Sequence, residues 1–453
     1  MTAVLCLVLA SGLWAAEPSP ASPGWSLSQA VEAAVRRSPA LEGGKAMVVA
    51  AREGLAEARY KRLPSLAAKT GFARSNDPVY AFGTLLQQRG FTGADFAVDS
   101  LNHPRPRNEV RSSLELGVPL FTGFELTHAG EAGALAVDLA ASRESRAGQA
   151  VRHAASQAYL GVLLQSELLA SVEERIRSAA VEVDSAKRMA ESGVVLGSDY
   201  QAALAVLAGF KARKASLEVG LRTSRKRLAV LTGSDAGQGL KAALSGQAHP
   251  VPPEEDLVAS ALRDRPEVRQ AGLEAELASV GRKRADWSIA PQVDAFASVA
   301  DHTEDFGSHA ADALMGVRLN VPFGDASYIP RRARGRALEA AARAGRSQAE
   351  DAVRLDVLAA RQAYEAALAS LPELKEALAR AAESLKRFKP LYRQGRQSVL
   401  EVLRAEEGLC RAHAVYLETL HGLHSGWAGL KLAAGAFDEA AVAELEKGLE
   451  AAP

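Results

Sequence analysis

Apolar and polar residues alternate at four places in a chain whose remaining length is patterned for helices. In "KRLPSLAAKTGF" (61–72), Pro64 ends a helical run, after which Leu66, Ala68, Thr70 and Phe72 oppose Ser65, Ala67, Lys69 and Gly71. In "WSIAPQVDAFAS" (287–298), Pro291 does the same, and Val293, Ala295, Ala297 and Val299 oppose Gln292, Asp294, Phe296 and Ser298. Two further segments alternate more cleanly. Val110, Leu114, Leu116, Val118 and Leu120 oppose Arg111, Ser113, Glu115 and Gly117, and Ala313, Met315, Val317, Leu319 and Val321 oppose Asp312, Gly316, Arg318 and Asn320. Alternation over about ten residues is the length and pattern of a membrane-spanning strand.

These segments sit at matching points of a duplicated chain. "SPALEGGKAMVVAAREGLAEARYKRLPSL" (38–66) aligns without a gap on "RPEVRQAGLEAELASVGRKRADWSIAPQV" (265–293), Pro39 on Pro266 and Pro64 on Pro291. "LELGVPLFTG" then aligns on "MGVRLNVPFGD", and "ESGVVLGSDYQA" (191–202) on "RQGRQSVLEVLR" (393–404), with Gly193 on Gly395 and Asp199 on Glu401. "LAVLTG" echoes "LKLAAG". Four correspondences in one order establish a tandem repeat.

Each repeat follows one plan. The first, 26–233, is expected to hold a helix over about 28–61, a β-hairpin over 63–121 and a long helical hairpin over 124–232. The second, 257–435, is expected to hold a helix to about 287, a β-hairpin over 290–323 and a helical hairpin over 328–434. A linker, 234–256, joins them, and 436–453 is a tail. The first arm of each helical hairpin, 124–190 and 328–390, would extend roughly 100 Å at 1.5 Å per residue. Each arm ends at a glycine suited to the left-handed cap, followed by a capping box, Ser198-x-x-Gln201 or Ser398-x-x-Glu401.

Composition removes several function classes. Lys+Arg and Asp+Glu both number 54, so the basic excess of a nucleic-acid binder is absent. The apolar run Ala3–Trp14 followed by "AAEPSPASPG" reads as a secretory signal over 1–16, with Ala15, Ala16 and Ala21 as alternative cleavage points, although no Lys or Arg precedes the run. Beyond it, no stretch reaches 18 consecutive apolar residues, so any membrane span is not helical. Cys410 is then the only cysteine of the mature chain and reads as a buried thiol in a helix.

Four strands cannot close a barrel, and open edges in lipid leave backbone groups unpaired. Copies must join, and three chains supply twelve strands and twelve helical columns. The fold class expected is mainly α with a small β part: tandem long helical hairpins forming a trimeric α-barrel, capped by a 12-stranded transmembrane β-barrel with four strands per chain. The competing reading, a periplasmic helical scaffold or coiled-coil interaction protein, leaves the proline-bounded strands unexplained. No nucleophile–base pair stands out for an enzyme.

The signal, the tandem halves, "LPSL" leading into a strand, "VPLFTG" leading out and Gly-x5-Asp/Glu at each hairpin tip resemble the TolC family of outer-membrane efflux and secretion ducts. The resemblance spans about 26–435. It implies a homotrimer in the outer membrane of a Gram-negative bacterium, extending into the periplasm as the channel component of a tripartite efflux or type I secretion system. Its partners would be a periplasmic adaptor and an inner-membrane pump driven by protons or ATP. No cofactor or metal is expected, and the cargo is open.

The resemblance also places functional residues. The tips, Gly193, Val194, Val195, Gly197, Ser198 and Asp199 with Gly395, Arg396, Gln397 and Ser398, would meet the adaptor, or simply turn the chain. Measured from Gly395, Tyr392 and Glu401 fall on the tyrosine and first acid of the family's gate. Gln397 stands where the family has an arginine and Arg404 where it has the second acid. Glu401 and Arg404 could instead pair with each other at i, i+3. Pro64, Pro119, Pro291 and Pro322 mark where the chain passes into and out of the barrel. The 76–107 connection, with Tyr80, Phe82, Phe91, Phe96 and "HPRPR", reads as surface variation more than as a cover for the barrel mouth. His413, His421 and His424 share a helix but lack a carboxylate cluster, so packing outweighs metal binding. "GSDAGQG" (233–239) follows a helix, not a strand, and reads as linker.

Overall fold

The computed structural model describes residues 24–234, 239–305, 309–322 and 324–451; the signal segment lies outside these. In chain order the elements are α1 (Leu27–Arg37), α2 (Pro39–Tyr60), β1 (Ser65–Ser75), α3 (Pro78–Gln87), α4 (Val98–Asn102), β2 (Arg107–Phe121), α5 (Glu125–Glu191) and α6 (Gly197–Thr232). They continue as β3 (Ala242–Ala243), α7 (Glu254–Asp264), α8 (Pro266–Asp286), β4 (Gln292–Thr303), β5 (Ala311–Asn320), α9 (Tyr328–Arg393), α10 (Val399–Ala433), α11 (Glu439–Lys447) and β6 (Glu450–Ala451). The fold is mostly helical with one four-stranded antiparallel sheet, as the patterning leads one to expect.

Several boundaries differ from the expected ones. The first helix of each repeat is broken in two, at Ser38 and at Arg265, because Pro39 and Pro266 push the residue before them out of the helical region. Each proline then opens the next helix at a position where its missing N–H is not needed. The segment 436–453 carries α11, capped by Asp438, which accepts from Ala441 N at 2.9 Å. Within 234–256, β3 pairs with β6.

The chain forms two compact units. One contains residues up to Pro39, Gly148–Asp264 and Arg354 onward. Its core has two clusters. In the first, Leu27, Val31 and Ala34 of α1 pack with Tyr159 and Leu163 of α5, Leu420 and Trp427 of α10, and Leu445 of α11. In the second, Val172, Ala179, Val183 and Ala186 of α5 meet Val399, Val402, Leu403 and Cys410 of α10 at coiled-coil spacing. The histidines of α10 are absorbed by packing. His424 is fully buried, with Nε2 at 2.9 Å from the Ser245 carbonyl, and burial pushes its pKa down to about 4. His413 Nδ1 lies 2.8 Å from Ser171 Oγ. No metal-binding group occurs among the described residues.

The other unit holds Ala40–Ala147 and Arg265–Val353, including the sheet. A shared packing detail records the duplication. A Cβ on Gly133 of α5 would lie 3.2 Å from Leu55 Cα on α2, and one on Gly335 of α9 would lie 3.2 Å from Arg282 Cα on α8. Leu55 aligns on Arg282 with the offset of Pro39 and Pro266, and Gly133 on Gly335 with the offset of Gly193 and Gly395. The two offsets differ because the first β-hairpin has a longer connection, 76–106 against 304–310, and a one-residue bulge near Pro119.

Candidate functional site

Two places carry the chemistry: the faces of the sheet, and the tips of the helical hairpins. The sheet order is β1-β2-β4-β5, every pair antiparallel, with β1 and β5 as open edges. Directly paired residues share a face, so the register decides how the four alternations combine. Leu66 pairs with Leu116, Leu116 with Ala297, and Ala297 with Met315. Ala68, Leu114, Val299 and Ala313 form the next row on that face. All four apolar stripes therefore coincide, and the chain leaves them uncovered: Leu66 is 66% exposed, Met315 83% and Val317 66%.

The opposite face is polar. Lys69 pairs in register with Ser113, and its Nζ lies 2.5 Å from Glu115. Arg318 packs over the Phe296 ring, 5.1 Å from its centroid. His302 pairs with Arg111, and Asp312 with Ala300. Pro64 and Pro291 immediately precede β1 and β4, and Pro322 follows β5. Pro119 lies inside β2, not at its end. It falls at the register shift with β4, where a residue without an N–H is tolerated.

Both helical hairpins turn through the same motif. Gly193 takes φ 77° and Gly395 φ 70°. Val194 N bonds to Met189 O and Gly193 N to Ala190 O, while Arg396 N bonds to Leu391 O and Gly395 N to Tyr392 O, a Schellman pair at each tip. The expected capping boxes are not formed. Helix α6 starts two residues early, at Gly197 after the N-cap Leu196, so Ser198 is already helical. Ser398 does cap α10, accepting from Leu400 N at 3.1 Å, but Glu401 is turned away to Arg404.

The tip side chains divide into exposed and buried sets. Gly193, Val194, Gly197, Ser198, Gly395, Arg396, Gln397 and Ser398 are exposed, and Val195 and Asp199 half-buried. Between the two tips lies a cavity of about 380 Å³, lined by Met189, Val194, Leu196, Tyr392, Arg396 and Val399. Val194 and Leu196, both 71% exposed, form its apolar rim. Tyr392 is buried; burial, first, and the nearby Glu182 carboxylate raise its hydroxyl pKa. Glu401 is half-buried and pairs with Arg404 at 2.6 Å.

The most strongly held charge in this region is one that sequence reading passed over. Glu406 of α10 is fully buried. Its carboxylate lies 3.0 Å from Arg175 Nη1 on α5 and 3.0 Å from Lys389 Nζ on α9, and it accepts from the Ser178 hydroxyl. Lys389 Nζ also donates to Ser178 Oγ at 2.5 Å. The signal was present: Glu406 occupies the core position between Val402–Leu403 and Leu409–Cys410 in an otherwise apolar seam.

The sequence profile of outer membrane efflux proteins matches residues 30–234, the first repeat. Over that repeat the chain is similar to outer membrane efflux proteins. No curated protein matches it in sequence. Its fold is that of several solved outer-membrane channels. CusC is 16% identical, with a TM-score of 0.77 over 90% of this chain and 92% of that one. The Campylobacter jejuni CmeC outer membrane channel is 13% identical, with a TM-score of 0.77 over 94% and 90%. The Neisseria gonorrhoeae MtrE outer membrane channel, solved in its open state, is 16% identical, with a TM-score of 0.75 over 91% and 90%.

Proposed function

We propose that three copies of this chain form a continuous export duct and that its helical tips couple it to a periplasmic adaptor and an inner-membrane pump. The observation that carries this reading is the sheet: one largely apolar face left uncovered, one largely polar face, and two unpaired edges. In lipid an open edge leaves several backbone groups unsatisfied, so β5 of one copy must meet β1 of the next until the ring closes. Three copies give twelve strands, an even number within the range of bacterial barrels. The apolar face then meets lipid and the polar face lines the lumen.

At the hairpin tips, the cavity between them, with Val194 and Leu196 exposed on its rim, is the surface an adaptor would cover. Leu196 joins the docking residues on this reading, having been missed because the turn was placed at the glycines. Tyr392, held between the two hairpins of one chain, and the Glu401–Arg404 pair remain the candidates for the contacts that keep the tip closed. Opening is a population shift that an adaptor drives by binding the open tip better. Because Arg404 already neutralises Glu401, three such pairs around an axis form a weaker cation-selective ring than bare carboxylates would.

One set of variants tests both roles. Leu196→Asp with Val194→Asp should abolish pump-dependent export in cells while leaving single-channel conductance in planar bilayers unchanged. Tyr392→Phe with Glu401→Gln should instead raise conductance. Export that survives the double aspartate places the docking surface elsewhere, and unchanged conductance in the second variant removes these residues from the gate.

A further inference from the structure

The first β-hairpin differs from the second chiefly in its connection, and the extra residues build α3, α4 and a single 3-10 turn between them. Helix α3 is well started, with Asp77 accepting from Tyr80 N at 2.9 Å and Pro78 at its first position. It is not a surface variation hanging from the sheet. Its start is fastened to β2 and its end to both β2 and β5.

Near its start, the Tyr80 hydroxyl donates to the Glu109 carboxylate on β2. Glu109 Oε1 lies 2.7 Å from His302 Nδ1 on β4, and His302 Nε2 lies 3.3 Å from Asp312 on β5. Just past its end, Gln88 Nε2 donates to Asn108 O at 2.8 Å, and Arg89 Nη2 donates to the Ala311 carbonyl at the start of β5 at 2.9 Å. Arg89 does this from a left-handed backbone, φ 54°, where a helix end ordinarily carries glycine. The helix is therefore tied to β2 at both ends and reaches β5 through Arg89.

It lies on the polar face. Glu109, paired with Ala73, and His302, paired with Arg111, both belong to that face, and both are buried, as is Ala300 beside them. On the apolar face Phe72, Leu114 and Val299 stay open, and only the strand tips, at Val110 and Thr303, are covered. The Tyr80–Glu109–His302–Asp312 chain is closed off from water along most of its length, so it fixes the helix in place. We infer that α3 is a crossbar on the lumen side of the outer mouth and that it sets the size limit for solutes passing there. The inference rests on the reading of the polar face as the lumen.

The test uses cysteine labelling from outside intact cells, in a Cys410→Ala background. Ser113→Cys lies on the polar face, deeper than the row of Arg111 and His302, and Leu116→Cys on the apolar face. With α3 in place, a small charged methanethiosulfonate should label Ser113→Cys and a bulky polyethylene-glycol maleimide should not. Unhooking both ends with Tyr80→Phe and Arg89→Ala should raise bulky labelling about tenfold, the loss expected for charge-assisted hydrogen bonds, and leave small-reagent labelling unchanged. Replacing 78–102 by a short Gly-Ser linker should do at least as much. Small-reagent labelling in each variant shows that the sheet is still assembled. Bulky labelling that stays the same in both variants overturns the crossbar. If Leu116→Cys reacts and Ser113→Cys does not, the polar face is not the lumen, and the functional reading falls with the inference.

Discussion

Glu406→Ala is expected to destabilise the helical hairpins by roughly 3–5 kcal/mol, because it leaves Arg175 and Lys389 without the carboxylate that compensates them in the interior. The cost comes from the two stranded cations more than from the bond itself. Joint replacement, Glu406→Met with Arg175→Met, should accordingly recover much of the loss, since Lys389 is partly exposed and can reach water. The control is Glu401→Ala, which breaks an ion pair on the helix surface and should cost no more than about 0.5 kcal/mol. Thermal unfolding of the detergent-solubilised protein, followed by circular dichroism, ranks the three. Equal melting temperatures for Glu406→Ala and Glu401→Ala would show that the seam around Glu406 is hydrated in the assembly.

Leu116→Arg should prevent correct insertion of the sheet, and Ser113→Arg should not. Leu116 lies on the apolar face, near the middle of a 15-residue strand, and a cation there costs about 2–4 kcal/mol at the bilayer midplane. In a trimer the penalty is met three times around the ring. Ser113 points to the face that already carries Lys69, Glu115 and Arg318, where an added charge stays in water. The amount of each variant recovered in the outer-membrane fraction separates them. Equal recovery would mean that the sheet does not face lipid at this level.

Much of this architecture was legible in the sequence because its two periods are unusually clean. The strands alternate over ten residues or more, so the apolar set of each strand was fixed before any pairing was known. Antiparallel register then needed only to align stripes already present. The helical arms were legible for the same reason, as were the tips, since a glycine that must adopt positive φ is hard to replace. The broken first helices were misread as continuous, although Pro39 and Pro266 stood in plain view. Each proline opens a helix as readily as it ends one.

What escaped reading depends on contacts between segments far apart in the chain. Nothing near Glu406 announces that Arg175, 231 residues away, will meet it. The crossbar is fastened in the same way, Arg89 to Ala311 across 222 residues, and its length of helix looked like an ordinary long loop. At the first tip, the local sequence suggested a serine cap at Ser198, where the chain instead starts its helix two residues sooner, at Gly197. Local patterns located these sites, while side-chain chemistry between repeats determined what they hold.

The central claim is that the sheet of one chain is a third of a closed barrel. Multi-angle light scattering of the detergent-solubilised protein, corrected for bound detergent, tests it most directly. The open edges at β1 and β5 predict a single species at three times the chain mass. A monodisperse monomer that keeps its strand content would contradict it.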